Sequence, residues 1–509
     1  MKIYDSLSRN KKQLPHTGRK PLHLFVCGPT VYDYAHIGHA RTYLVFDTLA
    51  RYLRSRGARV FYLQNITNVD DKIIDRARRD GMRPLALARK FEKEYRMDMK
   101  ALGITAVNRY ARVSDFIPDI VRQVRTLFAK GYAYRTSDGY YFNIAKFSRY
   151  GRLAGRTAAQ AEDAVSRIDE GVEKKNRGDF VLWKFIKTRM NTDINTDEHG
   201  YKYKMKIING EPAWETPLGW GRPGWHIEDT AISEHFFGPQ YDIHGGGVDL
   251  KFPHHESEIA QQEAASGKRP FVKIWIHAGT LLVEGKKMAK SAGNFITIRK
   301  FLEARDPAVL RWIVLQRHYR SPVNYTPTLV AQAERALTEL QNAVAALKSE
   351  AGRYDRSDRT DWSDKSDGSN RADWSDKSDG SNRADRSNRT YMKRFNAALD
   401  DDLNTPRALA VLWETVDDTR LSPREKLRLI FSYDEVLGLG LKKTKKPSPV
   451  PASVMKLVQE RELSRARKQF TQADALREQL LALGYVVRDT PQGPLVQKAN
   501  SKFQAPNNK

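Results

Sequence analysis

The sequence predicts an α/β protein in which a parallel sheet is split by an insertion and followed by an all-helical C-terminal domain. Three observations lead there. Two stretches of strand and helix character lie far apart, near residues 22–63 and 241–277. A mixed segment of roughly a hundred residues separates them, and helical spacing takes over after about Ser321.

Leu22-His-Leu-Phe-Val-Cys27 is nearly continuous in apolar residues, as a strand buried on both faces requires, and Gly28-Pro29-Thr30 ends it. Phe46, Leu49, Ala50 and Leu53 then recur at helical spacing, with Gly57 as the stop and Val60-Phe-Tyr-Leu63 as a second strand. Strand, helix and strand in that order form the unit of a doubly wound nucleotide-binding sheet. In the second stretch Tyr241-Asp-Ile-His244 reads as a strand, Gly245-Gly-Gly247 as a turn and Phe252 to Ala265 as a helix with Pro253 in its first turn. Lys273 to His277 reads as another strand. Beyond Ser321, Leu329, Ala333, Ala336, Leu337 and Leu340 mark a helical half. It is broken by a tandem repeat, Arg359 to Asn370 and Arg371 to Asn382, identical except for Thr360 and Ala372. That segment, with Trp362 and Trp374, is too rich in Ser, Asp, Asn and Arg to bury a core and is expected to be disordered. Helices resume from Tyr391, and a helical hairpin from about Ala452 to Leu483 precedes a polar tail.

Composition narrows the function. The 509 residues are 40% hydrophobic, enough for more than one core. No apolar run reaches the roughly eighteen residues of a membrane span, and Met1-Lys-Ile-Tyr-Asp5 has neither a secretory nor a transit-peptide pattern. A cytoplasmic protein with no membrane partner is expected. A single cysteine, Cys27, precludes an internal disulfide and leaves a buried packing thiol or a metal-bound one as alternatives. The net charge of +26, from 87 Lys and Arg against 61 Asp and Glu, favours a polyanionic partner, nucleic acid first.

Two motifs carry chemistry. His36-Ile-Gly-His39 stands where the first strand hands over to its helix, where backbone N–H groups and two imidazoles can meet phosphate and Gly38 lets a flat ring approach. Lys286-Lys-Met-Ala-Lys-Ser-Ala-Gly-Asn294 follows the second α/β half, and its Lys287 and Lys290 can close over a triphosphate. Cys27-Gly-Pro-Thr-Val-Tyr-Asp-Tyr-Ala-His-Ile-Gly-His39 together with Lys287-Met-Ala-Lys-Ser291 resembles the paired signature of class I aminoacyl-tRNA synthetases, and within them the cysteinyl-tRNA synthetase family. The likeness continues through Asn65-Ile-Thr-Asn-Val-Asp-Asp-Lys72, Gly221-Arg-Pro-Gly-Trp-His-Ile-Glu228, His244-Gly-Gly-Gly-Val-Asp-Leu-Lys-Phe-Pro-His-His-Glu-Ser-Glu258 and Asp400-Asp-Asp-Leu-Asn-Thr-Pro-Arg407.

The resemblance implies a class I Rossmann-like sheet and ATP-dependent ligation of cysteine to cysteine tRNA through a cysteinyl-adenylate. It implies catalytic roles for His36, His39, Lys287 and Lys290, with Pro29, Thr30, Gly38 and Ser291 also on ATP and its Mg2+. Gly28, Thr67, Trp225 and His244 would hold the amino acid. An apolar pocket separates cysteine from serine or alanine by only about 1–3 kcal/mol. In the family one zinc ion per chain ligates the substrate thiolate, and by position its ligands here are Cys27, Asp229, His254 and Glu258. The last two, four apart on the expected helix, can face one ion. Asp229 departs from the family's usual second cysteine and exchanges a soft sulfur for a hard oxygen, so zinc is expected to bind somewhat more weakly. Ala289 replaces the serine usual in its loop.

The implied domains are a catalytic part, 1–320, with its insertion at about 108–215; a tRNA-binding helical part, 321–445, interrupted at about 351–390; and a hairpin and tail, 446–509. A monomer is expected. Two alternatives remain: a relative that passes activated cysteine to an amino sugar, which would lack so long a helical C-terminal region, and a tRNA-binding relative whose site has decayed at Asp229 and Ala289.

Overall fold

The computed structural model describes residues 1–14, 20–156, 173–186, 203–289, 292–354, 382–444, 450–490 and 493–498. The tandem repeat up to residue 381 lies outside them, as do Lys290 and Ser291. The chain forms two units: Met1–Ile298 with Tyr319–Asn324 and Asp401–Leu403, and Arg299–His318 with Tyr325–Asp400 and Asn404–Lys509.

The first unit opens with a hairpin, β1 (Lys2–Asp5) and β2 (Asn10–Gln13). The first βαβ unit follows as β3 (Leu22–Val26), α1 (Ile37–Ser55) and β4 (Val60–Ile66). Helices α2 (Asp71–Arg79) and α3 (Pro84–Ala101) lead to β5 (Arg109–Arg112) and α4 (Ile117–Ala129). Next come β6 (Ala133–Arg135), β7 (Gly139–Phe142), β8 (Phe180–Phe185), β9 (Met205–Ile208), β10 (Glu211–Thr216) and β11 (Gly219–Pro223). The second α/β half is α5 (Ile227–Phe237), β12 (Tyr241–Gly247), α6 (His254–Ser266) and β13 (Val272–Ala278). The central sheet is fully parallel in the order β13-β12-β3-β4-β5. From β3 the chain proceeds one way to β4 and β5, whereas β12 and β13 lie on its other side, so the order reverses between β3 and β12. Ligands of open parallel sheets bind beyond the carboxyl ends of the strands at such a reversal.

Three expectations about this unit change. The insertion expected at about 108–215 has other bounds: Arg109–Arg112 is the fifth parallel strand, and the inserted antiparallel sheet, β6-β7-β8-β11-β10-β9, ends at Pro223. An edge strand reading Arg-Tyr-Ala-Arg, with only Ala111 buried, carries no apolar run to reveal it. Gly245 to Gly247, expected as a turn, continue β12 and pair with Ile276, His277 and Ala278. The boundary at residue 320 is crossed, because β16 (Val323–Tyr325) joins β14 (Leu281–Val283) and β15 (Lys286–Lys287) in one small sheet. Asp402 also belongs here, accepting from the Tyr4 amide at 2.8 Å and pairing with Arg320 at 2.7 Å.

Past the first residue of α7 (Ile298–Ala304), the second unit holds the rest of that helix, then α8 (Pro307–Leu315), α9 (Pro327–Tyr354), α10 (Asn382–Asp400), α11 (Thr405–Asp417) and α12 (Pro423–Leu437). A helical pair follows, α13 (Ala452–Ala466) and α14 (Phe470–Ala482). Tyr485–Lys498, expected as a polar tail, is instead a hairpin of β17 (Tyr485–Thr490) and β18 (Gly493–Lys498). Val487 explains it, being buried against Val454, Val458 and Leu480 of the helical pair. No described helix is long and apolar enough to cross a membrane.

Candidate active site and metal-ligand cluster

Cys27 follows the last residue of β3, and its amide donates to Gly245 O of β12 at 3.0 Å, which seats it at the reversal point. Beside it opens a cavity of about 300 Å³ lined by Cys27, Gly28, Thr30, Thr67, Trp225, Asp229 and His254, all expected from the sequence. Asn65, Lys72 and Glu228 also line it, and the sequence reading assigned none of them a role. Pro29 is tied to Thr67, whose amide donates to Pro29 O at 3.2 Å. His244 is fully buried and is not among the lining residues; its Nε2 lies 3.2 Å from Cys27 Sγ and its Nδ1 2.6 Å from Tyr241 Oη.

Cys27, Asp229, His254 and Glu258 converge from three elements. Asp229 Oδ2 is 3.1 Å from Cys27 Sγ and 3.1 Å from His254 Nε2; Glu258 Oε1 is 3.1 Å from His254 Nε2 and 3.9 Å from Cys27 Sγ. Four ligands at zinc bond lengths of roughly 2.0–2.3 Å stand about 3.4 Å apart at the corners of a tetrahedron. Three of these separations are close to that spacing, and all four donors lie within 4.8 Å of one another. Their chemistry fits as well, because Glu258 Oε2 is buried with no hydrogen-bond partner among the described residues, the nearest ionisable group being His244 Nδ1 at 3.5 Å. Burial, then Asp229 and Glu228, pushes the Glu258 carboxyl well up; burial, then Asp229 and Glu258, does the same to the Cys27 thiol. A divalent cation would remove both penalties. A second group, Cys27, His244, His255 and Glu258, could also hold an ion. His255 Nε2 is 3.1 Å from Cys27 Sγ, while its Nδ1 faces His277 at 2.8 Å. Sequence reasoning missed His255 because i and i+4 share a helix face and i+1 does not; here the neighbouring position reaches the sulfur at the helix start.

The histidine motif forms the start of α1, but not as anticipated. His36 is the N-cap residue, and its Nδ1 accepts from the amides of Gly38 at 3.1 Å and His39 at 3.3 Å. His39 Nδ1 in turn accepts from the His36 amide at 3.3 Å. The N–H groups expected to be open to phosphate are thus used within the motif. Each ring nitrogen that accepts is unprotonated, so each neutral ring carries its proton on Nε2, as a donor. Burial and the neighbouring His36 hold His39 well below the usual histidine range, which keeps it neutral at pH 7.

The lysine loop meets this motif. The Ile37 amide donates to Ile296 O at 3.1 Å, the Ile298 amide to Ala35 O at 2.9 Å, and a Cβ on Gly38 would stand 3.0 Å from the Met288 methyl. Lys287 is exposed on β15. Asn294 cross-links the loop, accepting from the Ala289 amide at 2.9 Å and donating to Lys287 O at 3.2 Å.

Residues 13–335 match the family model described as the class I (C) tRNA synthetase catalytic domain, 394–441 a DALR domain, and 448–494 the cysteinyl-tRNA ligase anticodon binding domain. The chain belongs to the cysteine–tRNA ligase family. A cysteine–tRNA ligase of Thermococcus onnurineus is 39% identical over 510 residues, covering 97% of this chain and 98% of its own. That of Caldicellulosiruptor saccharolyticus is 37% identical over 510 residues, covering 98% of this chain and all of its own length. A solved methionyl-tRNA synthetase of Mycobacterium tuberculosis with methionyl-adenylate shares the fold, with a TM-score of 0.53 at 16% identity over 84% of this chain and 92% of its own. For a member of this ligase family, the reversal point of the sheet carries both the signature histidines and the only cysteine.

Proposed function

We propose that this cysteine–tRNA ligase activates cysteine with ATP in the cavity beside Cys27, as a cysteinyl-adenylate, and then transfers the acyl group to the 3′-terminal ribose of cysteine tRNA. The convergence of Cys27, Asp229, His254 and Glu258, the first three of them on the wall of that cavity, carries the reading. These residues would hold one zinc ion, which when bound supplies a Lewis-acidic partner for the substrate thiolate and so discriminates it from a serine hydroxyl. Trp225, stacked on His254 with ring centroids 4.9 Å apart, forms a wall for the small side chain, and Gly28 and Thr67 orient the amino acid.

Chemistry at the α-phosphate is positioning and charge stabilisation. The Nε2–H groups of His36 and His39 donate to phosphate oxygens as the cysteine carboxylate attacks, with Pro29, Thr30 and Gly38 shaping the nucleotide site. Lys287 and Lys290 neutralise the departing pyrophosphate and Ser291 donates a hydrogen bond to it; Mg2+ would supply further positive charge there. His244 acts from behind Cys27. The protein works as a cytoplasmic monomer. Aminoacylation of cysteine tRNA, run with and without a zinc chelator alongside elemental analysis, tests the reading. Stoichiometric zinc and chelator-sensitive charging are expected; full charging by a metal-free protein would overturn the zinc assignment.

A further inference from the structure

The two oxygens of Asp229 have separate surroundings. Oδ2 faces Cys27 Sγ and His254 Nε2, both at 3.1 Å, whereas Oδ1 accepts from Asn65 Nδ2 at 2.5 Å. The orientation of the Asn65 amide is dictated from its other end. The Gly28 amide can only donate and lies 2.5 Å from Asn65 Oδ1, so the NH2 group must point to the carboxylate. Asn65 is 2% exposed and Asp229 1%, so the bond lies in the wall of the cavity, away from bulk solvent. Asn65 thereby ties the chain after β3, the end of β4 and the start of α5 through one amide.

We propose that Asn65 is a positioning residue specific to the aspartate at 229. By occupying Oδ1 it presents Asp229 to the metal through Oδ2 alone, which keeps a carboxylate to the single ligand place that a cysteine sulfur fills in the family. A thiolate has one donor atom and no second oxygen to restrain; a carboxylate without the clamp can rotate or chelate through both oxygens. Partners that orient ligands in this way commonly contribute about 10–100-fold to metal affinity. The inference rests on the zinc reading above.

The test is a double-mutant cycle on the full chain, with zinc affinity read by chelator competition and ligand geometry by the visible spectrum of the Co2+-substituted protein. Asn65→Ala is expected to weaken zinc binding about 10–100-fold in the Asp229 protein, and to weaken the Co2+ d–d bands as the coordination number rises. In an Asp229→Cys background the same change is expected to leave both readouts nearly unaltered, which also shows that Asn65→Ala folds. Equal losses in the two backgrounds would make Asn65 a general structural residue and overturn the proposal, as would no loss in either while zinc stays bound. A wild-type protein that takes up neither zinc nor Co2+ would overturn the zinc reading itself, and this inference with it.

Discussion

Gly245 lies where the fold and the site are joined. A Cβ there would come within 3.0 Å of Phe46 Cδ1 and closer still to Cε1 and Cζ, against a preferred carbon separation of about 3.5–4.0 Å. Phe46 is fully buried on α1, so its ring cannot swing into solvent, and to clear Cε1 and Cζ the ring or the helix must retreat by about 1 Å or more. Overpacking of this kind costs about 1–3 kcal/mol. At roughly 2–4 °C per kcal/mol for a large domain, Gly245→Ala should lower Tm by about 2–12 °C. Because α1 begins at the histidine motif, a displacement near 1 Å should also lower kcat/KM for ATP–pyrophosphate exchange, by up to about a hundredfold. Phe46→Leu makes room for the methyl group, so the double variant should recover stability, with a coupling of about 0.5–3 kcal/mol. Differential scanning calorimetry and exchange kinetics on the four proteins measure both effects. An unchanged Tm in Gly245→Ala, or strictly additive losses in the pair, would refute the argument.

Burial pushes the Asp98 carboxyl up to about 7 from 3.8, so the native state favours its protonated form. The resulting destabilisation is absent below pH 3.8, grows as pH rises, and levels off above pH 7 at about 4 kcal/mol. Asp98→Asn should therefore stabilise the protein at pH 8 and much less at pH 5 in urea unfolding; equal effects at the two values would contradict the assignment. Cys27→Ser should lose zinc in elemental analysis and discrimination against serine in the exchange assay, while the KM for ATP stays unchanged. Lys287→Ala should cut the exchange kcat by about 10²–10³ and leave Tm unmoved, since the side chain is exposed.

What the sequence by itself determined was set by short-range periodicity. The unbroken apolar run of β3, the helical spacing in α1 and the strand of β4 each declare themselves within a few residues. Likewise, the four-residue spacing of His254 and Glu258 survives intact on α6. A polar edge strand such as β5 does not declare itself, because its pairing with β4 is the reason it is a strand. The same holds at the site. The sulfur of Cys27 meets Asp229, His244 and His255, more than two hundred positions away, only because β3 and β12 lie side by side at the reversal of the sheet. Tertiary structure alone decided that Asn65 holds Asp229, and that β14 and β15 carry the lysine loop to the start of α1. Those are contacts between residues far apart in the chain, and no local pattern encodes them.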